Sequence, residues 1–226
     1  MVRFDAVKLP PLILASASPR RAELLRQLQP EFQIVPSDAT EVFDEQLSPL
    51  ELCQLNAHRK ARAVAGKIPD ALVLGADTLV FLGLWSSAHQ AERIVAPLGE
   101  SFSPPRRYST GRDGEIMGKP RDLADARRML ARLQGRTHQV VTGVSLIHLR
   151  GHRERLFAVS TDVTFRPLTA VQIGNYLSRV NPLDKAGAYA IQEHGDLIVS
   201  EISGSYSNVV GLPVELVSDE LAAWAK

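Results

Sequence analysis

Apolar residues along the chain fall into short blocks that switch between two periods, with turn-forming residues between them. Leu12-Ile13-Leu14 is a continuous run of buried-strand character, and Leu24, Leu25 and Leu28 then recur on one helical face. Ser18 reads as the N-cap of that helix, with Pro19 at its first position. Residues 32–35 alternate as a strand that stops at Pro36-Ser37-Asp38. Ser48-Pro49-Leu50-Glu51 is a capping box, and the helix it opens runs to about Ala65 before Gly66. Ala71 to Leu74 is a buried strand that delivers Gly75-Ala76-Asp77-Thr78 at its carboxyl end, and the strand character resumes through Leu82. Further on, Asp122 caps a helix ending at Gly135, two strands cover residues 139–149 and 156–165, and Thr169 caps a helix to about Val180. Leu197 to Val199 reads as a last strand, residues 204–208 as a polar turn, and Pro213 as the start of a terminal helix. Interleaved strands and helices imply an α/β fold around a largely buried sheet.

One stretch breaks the rhythm. Residues 83–112 are rich in Ser, Pro and Arg and carry little periodicity, so they read as a flexible insertion in a single domain spanning residues 1–226. Joining Leu82 to Asp113 restores two apolar-rich strands around an Asp113-Gly114 pair, a strong hairpin signal. The ends of the insertion should therefore lie close together.

Composition narrows the class. A formal net charge of +1 and few aromatic residues argue against a general nucleic-acid binder. A single cysteine, Cys53, suits a reducing compartment, and the brief apolar run at Leu12 to Ala15 supports neither a signal peptide nor a membrane span. A cytoplasmic protein is the expectation.

Candidate chemistry gathers at a few places. Arg20 and Arg21 sit in the first turn of a helix, facing the positive end of its dipole. With free backbone N–H groups and the hydroxyls of Ser16 and Ser18, they make a site for a multiply charged anion such as a phosphate chain. An acidic patch at Asp38, Glu41, Asp44 and Glu45 is a solvated loop or, beside phosphate, a place for a divalent cation. Asp77, expected at a strand end, is a candidate base or metal ligand. The helical cations Arg59, Lys60 and Arg62 cannot be ranked by spacing. Gly118-Lys119-Pro120 fails the phosphate-loop pattern, because Asp113 and Pro120 stand where a glycine and a hydroxyl are required.

Five stretches carry a family resemblance: residues 14–21, Gly75-Ala76-Asp77-Thr78, residues 118–122, residues 182–189 and residues 208–213. In this order they resemble the signature blocks of the Maf family of nucleoside triphosphate pyrophosphatases, across nearly the whole chain outside residues 83–112. The resemblance implies a Maf/ITPase-like fold, with an elongated mixed central sheet flanked by helices and a cleft between two lobes. It implies cleavage of a nucleoside triphosphate between the α and β phosphates with a divalent cation, Mg²⁺ or Mn²⁺. On this resemblance Asp77 activates water, Arg20, Arg21, Lys60 and Lys119 bind phosphate, and Glu41 and Asp77 lie at the metal. Ser16 belongs to the same substrate-binding set.

Arg21, Thr78 and Gln192 match the positions that mark the dTTP- and UTP-hydrolysing branch, whereas the branch active on 7-methyl-GTP has Trp-Arg after the Pro and Gln after the Asp, neither of which occurs here. The Gln192 amide can pair with a pyrimidine edge. The segment departs from the family pattern in two ways: Ala190 replaces the usual Gly before Ile191-Gln192, and Glu193-His194 interrupts the usual Gly just after Gln192. The expected partner is a nucleoside triphosphate, with a homodimer as the candidate assembly. The competing reading is a nucleotide-binding regulator of division or growth arrest that does not turn over, which would bind nucleotide without releasing pyrophosphate.

Overall fold

The computed structural model describes residues 9–44, 46–83 and 114–224. The expected insertion lies outside the described residues apart from Gly83, as do Glu45 and Asp113. In chain order the elements are β1 (Leu12–Leu14), α1 (Pro19–Leu28), β2 (Gln33–Ile34), α2 (Pro49–Ala65), β3 (Leu72–Leu82) and β4 (Glu115–Met117). They are followed by α3 (Leu123–Leu133), β5 (Thr137–His148), β6 (Arg153–Phe165), α4 (Ala170–Leu177), β7 (Val199–Ser203), α5 (Tyr206–Val210) and α6 (Val214–Trp224). The strands form one mixed sheet in the order β2-β1-β3-β5-β6-β7, with β4 added to β3. Among the described residues only β1 makes parallel pairs, with β2 and β3. No described helix is long and apolar enough to cross a membrane.

Strand β3 organises the molecule. It is continuously buried apart from Thr78, as expected of a strand covered on both faces. One edge pairs with β5 from Val73 to Phe81. Along the other edge β1 pairs with residues 72–74 and β4 with residues 80–82. Between them, residues 75–79 have no strand partner on that edge among the described residues. Asp77 therefore does not end a strand, as expected from the sequence, but sits in the middle of one. It becomes accessible because β1 stops short. The β3–β4 pairing matches Leu82 with Glu115, so the chain ends that flank residues 83–114 are neighbours, as the hairpin signal implied.

Side-chain alternation sorts the two faces of β3. Val73, Leu79 and Phe81 pack towards α2, whereas Leu72, Leu74 and Ala76 join α1 and α6, and Val80 and Leu82 join α3 and α4. On the second face there are thus two separate apolar cores. The register partners Thr78 and Thr142 lie between them. On the first face α2 comes close enough that only glycine fits beneath it. A Cβ on Gly75 would lie 2.5 Å from the Ala57 carbonyl oxygen, and one on Gly143 would lie 2.6 Å from the Gln54 nitrogen. Cys53, the buried α2 residue over Gly143, donates its S–H to the Val141 carbonyl at 3.3 Å.

Three expected boundaries change. The expected strand at 197–199 starts at Val199, because residues 195–197 form a short 3₁₀ turn. The polar turn at 204–208 instead opens α5, with the Ser205 side chain accepting from the Asn208 N–H as its cap. Helix α4 ends at Leu177 rather than Val180.

Candidate active site

Ser18 caps α1 as expected, its hydroxyl accepting from the Arg21 N–H, and this fixes where the two arginines emerge. Arg21 is fully engaged: Nε donates to the Gly211 carbonyl at 2.8 Å, and the guanidinium also reaches the Ser16 hydroxyl at 3.3 Å and the Thr78 hydroxyl at 2.9 Å. Behind Thr78 the bonding continues into the sheet. Thr78 and Thr142 share a hydrogen bond of 3.0 Å, Thr142 donates to the Asn208 carbonyl, and the Asn208 amide donates to Thr161. Burial is the largest influence on the Arg21 guanidinium and holds it below its ordinary pKa, with the charge of Asp77 acting in the opposite direction. A cation held in such surroundings favours an anion beside it.

Arg20 leaves the same turn in another direction. It bonds the Asp184 carboxylate at 2.8 Å and the Asp184 carbonyl at 3.2 Å, tying α1 to the 182–187 segment across the cleft. Lys185 is buried there and is shared by Asp184 at 2.9 Å, Glu193 at 3.3 Å and the Asn181 carbonyl at 2.7 Å.

On the α2 side the charges meet around one ammonium. Lys60 Nζ lies 2.6 Å from Asp77 Oδ1 and 2.7 Å from Glu41 Oε1. Burial alone would raise the Glu41 pKa, but the hydrogen bond from Lys60 and the charges of Lys60, Lys119 and Arg21 outweigh it and hold it below the ordinary value. Asp38 and Asp44 of the expected acidic patch lie elsewhere, one paired with Lys67 on the surface and the other capping a turn. Arg62 faces Glu154 rather than the cleft.

A cleft of about 390 Å³ joins these parts through the open edge of β3. Of the residues expected at the site, Arg20, Arg21, Glu41, Lys60, Asp77, Thr78, Lys119 and Gln192 all line it, and Ser16 stands behind Arg21. Lys119 and Gln192 are exposed at the cleft and have no hydrogen-bonded partner among the described residues. Sequence reasoning missed Asn56, Thr142 and Asp184. Asn56 precedes Lys60 by one helical turn and shares its face, a spacing that could have singled it out. Thr142 and Asp184 are brought in only by strand register and by a loop from far along the chain.

The donor set suits a hard divalent cation. Glu41 and Asp77 present two carboxylates to one positive charge, and such ions commonly take one or two protein carboxylates plus phosphate oxygens. Among the described residues no three or more His, Cys, Asp or Glu side chains are grouped to hold a metal ion, so the protein would supply at most this carboxylate pair.

The Maf-like protein family model matches residues 11–224. A dTTP/UTP pyrophosphatase of Akkermansia muciniphila is 42% identical over 206 residues, covering 91% of this chain and 92% of its own length. Another from Moorella thermoacetica is 44% identical over 211 residues, 93% of each chain. A third, from Salinibacter ruber, is 40% identical over 214 residues, covering 94% of this chain and 90% of its own. A match of this extent, over a cleft lined by the residues that the motifs single out, means that the chain belongs to the Maf family.

Proposed function

We propose that the protein is a nucleoside triphosphate pyrophosphatase that hydrolyses dTTP and UTP to the monophosphate and pyrophosphate. The observation that carries this reading is a carboxylate, Asp77, set among the cations Arg21, Lys60 and Lys119 in one cleft. In-line hydrolysis of a phosphoanhydride needs positioning and charge neutralisation more than covalent help from the protein. Lys60 anchors Asp77 through Oδ1, and Oδ2, which has Asn56 Nδ2 at 3.4 Å and a second lone pair, accepts a proton from water as the water oxygen bonds to phosphorus and the α–β bridge breaks. Arg21 and Lys119 neutralise the triphosphate. Glu41 and Asp77 would hold a divalent cation, which supplies further neutralisation of phosphate charge when bound. Arg20 is already paired with Asp184, so it reaches phosphate only by giving up or sharing that partner.

Pyrophosphate release, measured with Mg²⁺ across common and modified nucleotides, tests the proposal. Release from dTTP and UTP well above that from purine nucleotides is the expected result. Tight nucleotide binding with no release from any member of the panel would favour the regulator reading instead.

A further inference from the structure

We infer that Asn56 is a positioning residue that clamps the Glu41 loop against Asp77, so that both carboxylates meet the same cation. The inference rests on the pyrophosphatase reading of the cleft. Asn56 lies on α2 one turn before Lys60, is 4% exposed, and has both ends of its amide engaged. Its Oδ1 accepts the Val42 N–H at 2.8 Å, and its Nδ2 donates to the Val42 carbonyl at 3.0 Å. The same Nδ2 lies 3.4 Å from Asp77 Oδ2. One side chain therefore treats Val42 as a neighbouring strand would, and spends its remaining donor on the carboxylate.

The loop needs such a clamp. Residues 35–44 form no helix or strand, and the Glu41 side chain is about half exposed, at 50%. Its link to the site through Lys60 is an ion pair of two flexible side chains, whereas Asn56 fixes the backbone one residue away. Losing the clamp would let Glu41 move away from Asp77 while leaving the phosphate cations in place. The expected signature is a defect in turnover and in metal use, with little change in nucleotide affinity.

Asn56→Ala in the full chain is the test, with three readouts. Amide hydrogen exchange at Val42 should quicken, because its acceptor is gone. The kcat for dTTP should fall about tenfold, with KM within about twofold, and more Mg²⁺ should be needed for half-maximal activity. In a Glu41→Gln background the same substitution should cost much less, since residues acting through one another are not additive. Asn56→Asp serves as a second variant if the alanine protein does not fold. It keeps an acceptor for the Val42 N–H but cannot donate to the Val42 carbonyl or to Asp77, so Val42 should stay partly protected while turnover falls. Unchanged Val42 exchange in a folded Asn56→Ala protein overturns the clamp, as does an undiminished kcat loss in the Glu41→Gln background. A wild-type protein that releases no pyrophosphate would overturn the functional reading instead, and the exchange result would still decide the clamp.

Discussion

The two faces of β3 solve opposite problems at the same height in the sheet. Towards α2, Asp77 meets full charges: the Lys60 ammonium and, through it, Glu41. Towards α1 and α5, Thr78 begins a line of neutral groups, Thr142, Asn208 and Thr161, that runs inwards from Arg21 and is joined by hydroxyl, amide and main-chain carbonyl hydrogen bonds. The charged side sits at an open strand edge and can exchange partners with a ligand. The neutral line starts at the half-buried Thr78 and runs to the fully buried Thr142 and Asn208, and its hydrogen bonds hold Arg21 in one orientation between two apolar cores. Adjacent residues of one strand thus serve chemistry on one face and alignment on the other, because side chains alternate in direction along it.

The largest effect should come from the charged face. Asp77→Asn keeps the shape of the side chain but removes its capacity to take a proton, so turnover should fall roughly 10²–10⁴-fold. Nucleotide binding by calorimetry and the melting temperature should change little. A well-folded Asp77→Asn protein with near-normal pyrophosphate release would show that the proton goes elsewhere.

Next comes the contact that brings α2 to the sheet. A methyl group on Gly143 would collide with the Cys53 backbone, and backbone cannot rotate away as a side chain tip can. Gly143→Ala should cost about 1–3 kcal/mol in urea unfolding, in the range of other overpacked interiors. Turnover by the folded fraction should drop too, because tilting α2 moves Lys60. A loss of stability with full activity would mean that Lys60 is placed independently of the helix packing.

Much of this was legible from residue order. The capping boxes at Ser48 and Thr169 mark α2 and α4, since both partners of each box lie within one turn. The pairing of β3 with β4 is written in two apolar runs, and most of the charged residues that line the cleft stand in short motifs. What could not be read depends on pairing across the chain. The mid-strand position of Asp77 requires knowing that β1 ends at Leu14, and the role of Thr142 requires the β3–β5 register. The Arg20–Asp184 pair joins residues far apart in sequence, and either charge alone looks like an ordinary solvated one.

The neutral face makes a prediction about pH. His138 lies on it, buried against Phe165 and hydrogen-bonded through Nε2 to the Tyr189 hydroxyl at 2.8 Å. Burial holds its pKa down to about 3, against an ordinary value of 6.5. The unfolded chain thus takes up a proton near pH 6.5 that the folded protein refuses until about pH 3. This contribution is complete above pH 6.5 and is lost at about 1.4 kcal/mol per pH unit as the pH falls towards 3. His138→Leu should flatten that part of the stability curve, whatever it does at neutral pH. An unchanged acid slope in the variant would place the charge-sensitive group elsewhere.

The smallest expected effect concerns which base is accepted, and it separates the two ends of the substrate. Gln192 is exposed at the cleft, just before Glu193, which pairs with Lys185, and His194, whose backbone is left-handed. Its amide offers one donor group and one acceptor, the complement of a thymine or uracil edge where an N–H stands beside a carbonyl. A hydrogen bond of this kind contributes about 0.5–1.5 kcal/mol, so Gln192→Ala should lower kcat/KM for dTTP and UTP by several-fold to about tenfold. Adenine nucleotides, whose edge has no N–H beside a carbonyl, should change less, and the preference for dTTP and UTP over ATP should shrink. Arg21→Ala is the control, since a residue serving the shared triphosphate should depress every nucleotide in the same proportion. If Gln192→Ala also scaled all nucleotides equally, the amide would be supporting the phosphates or the loop, and base selection would have to come from the shape of the cleft.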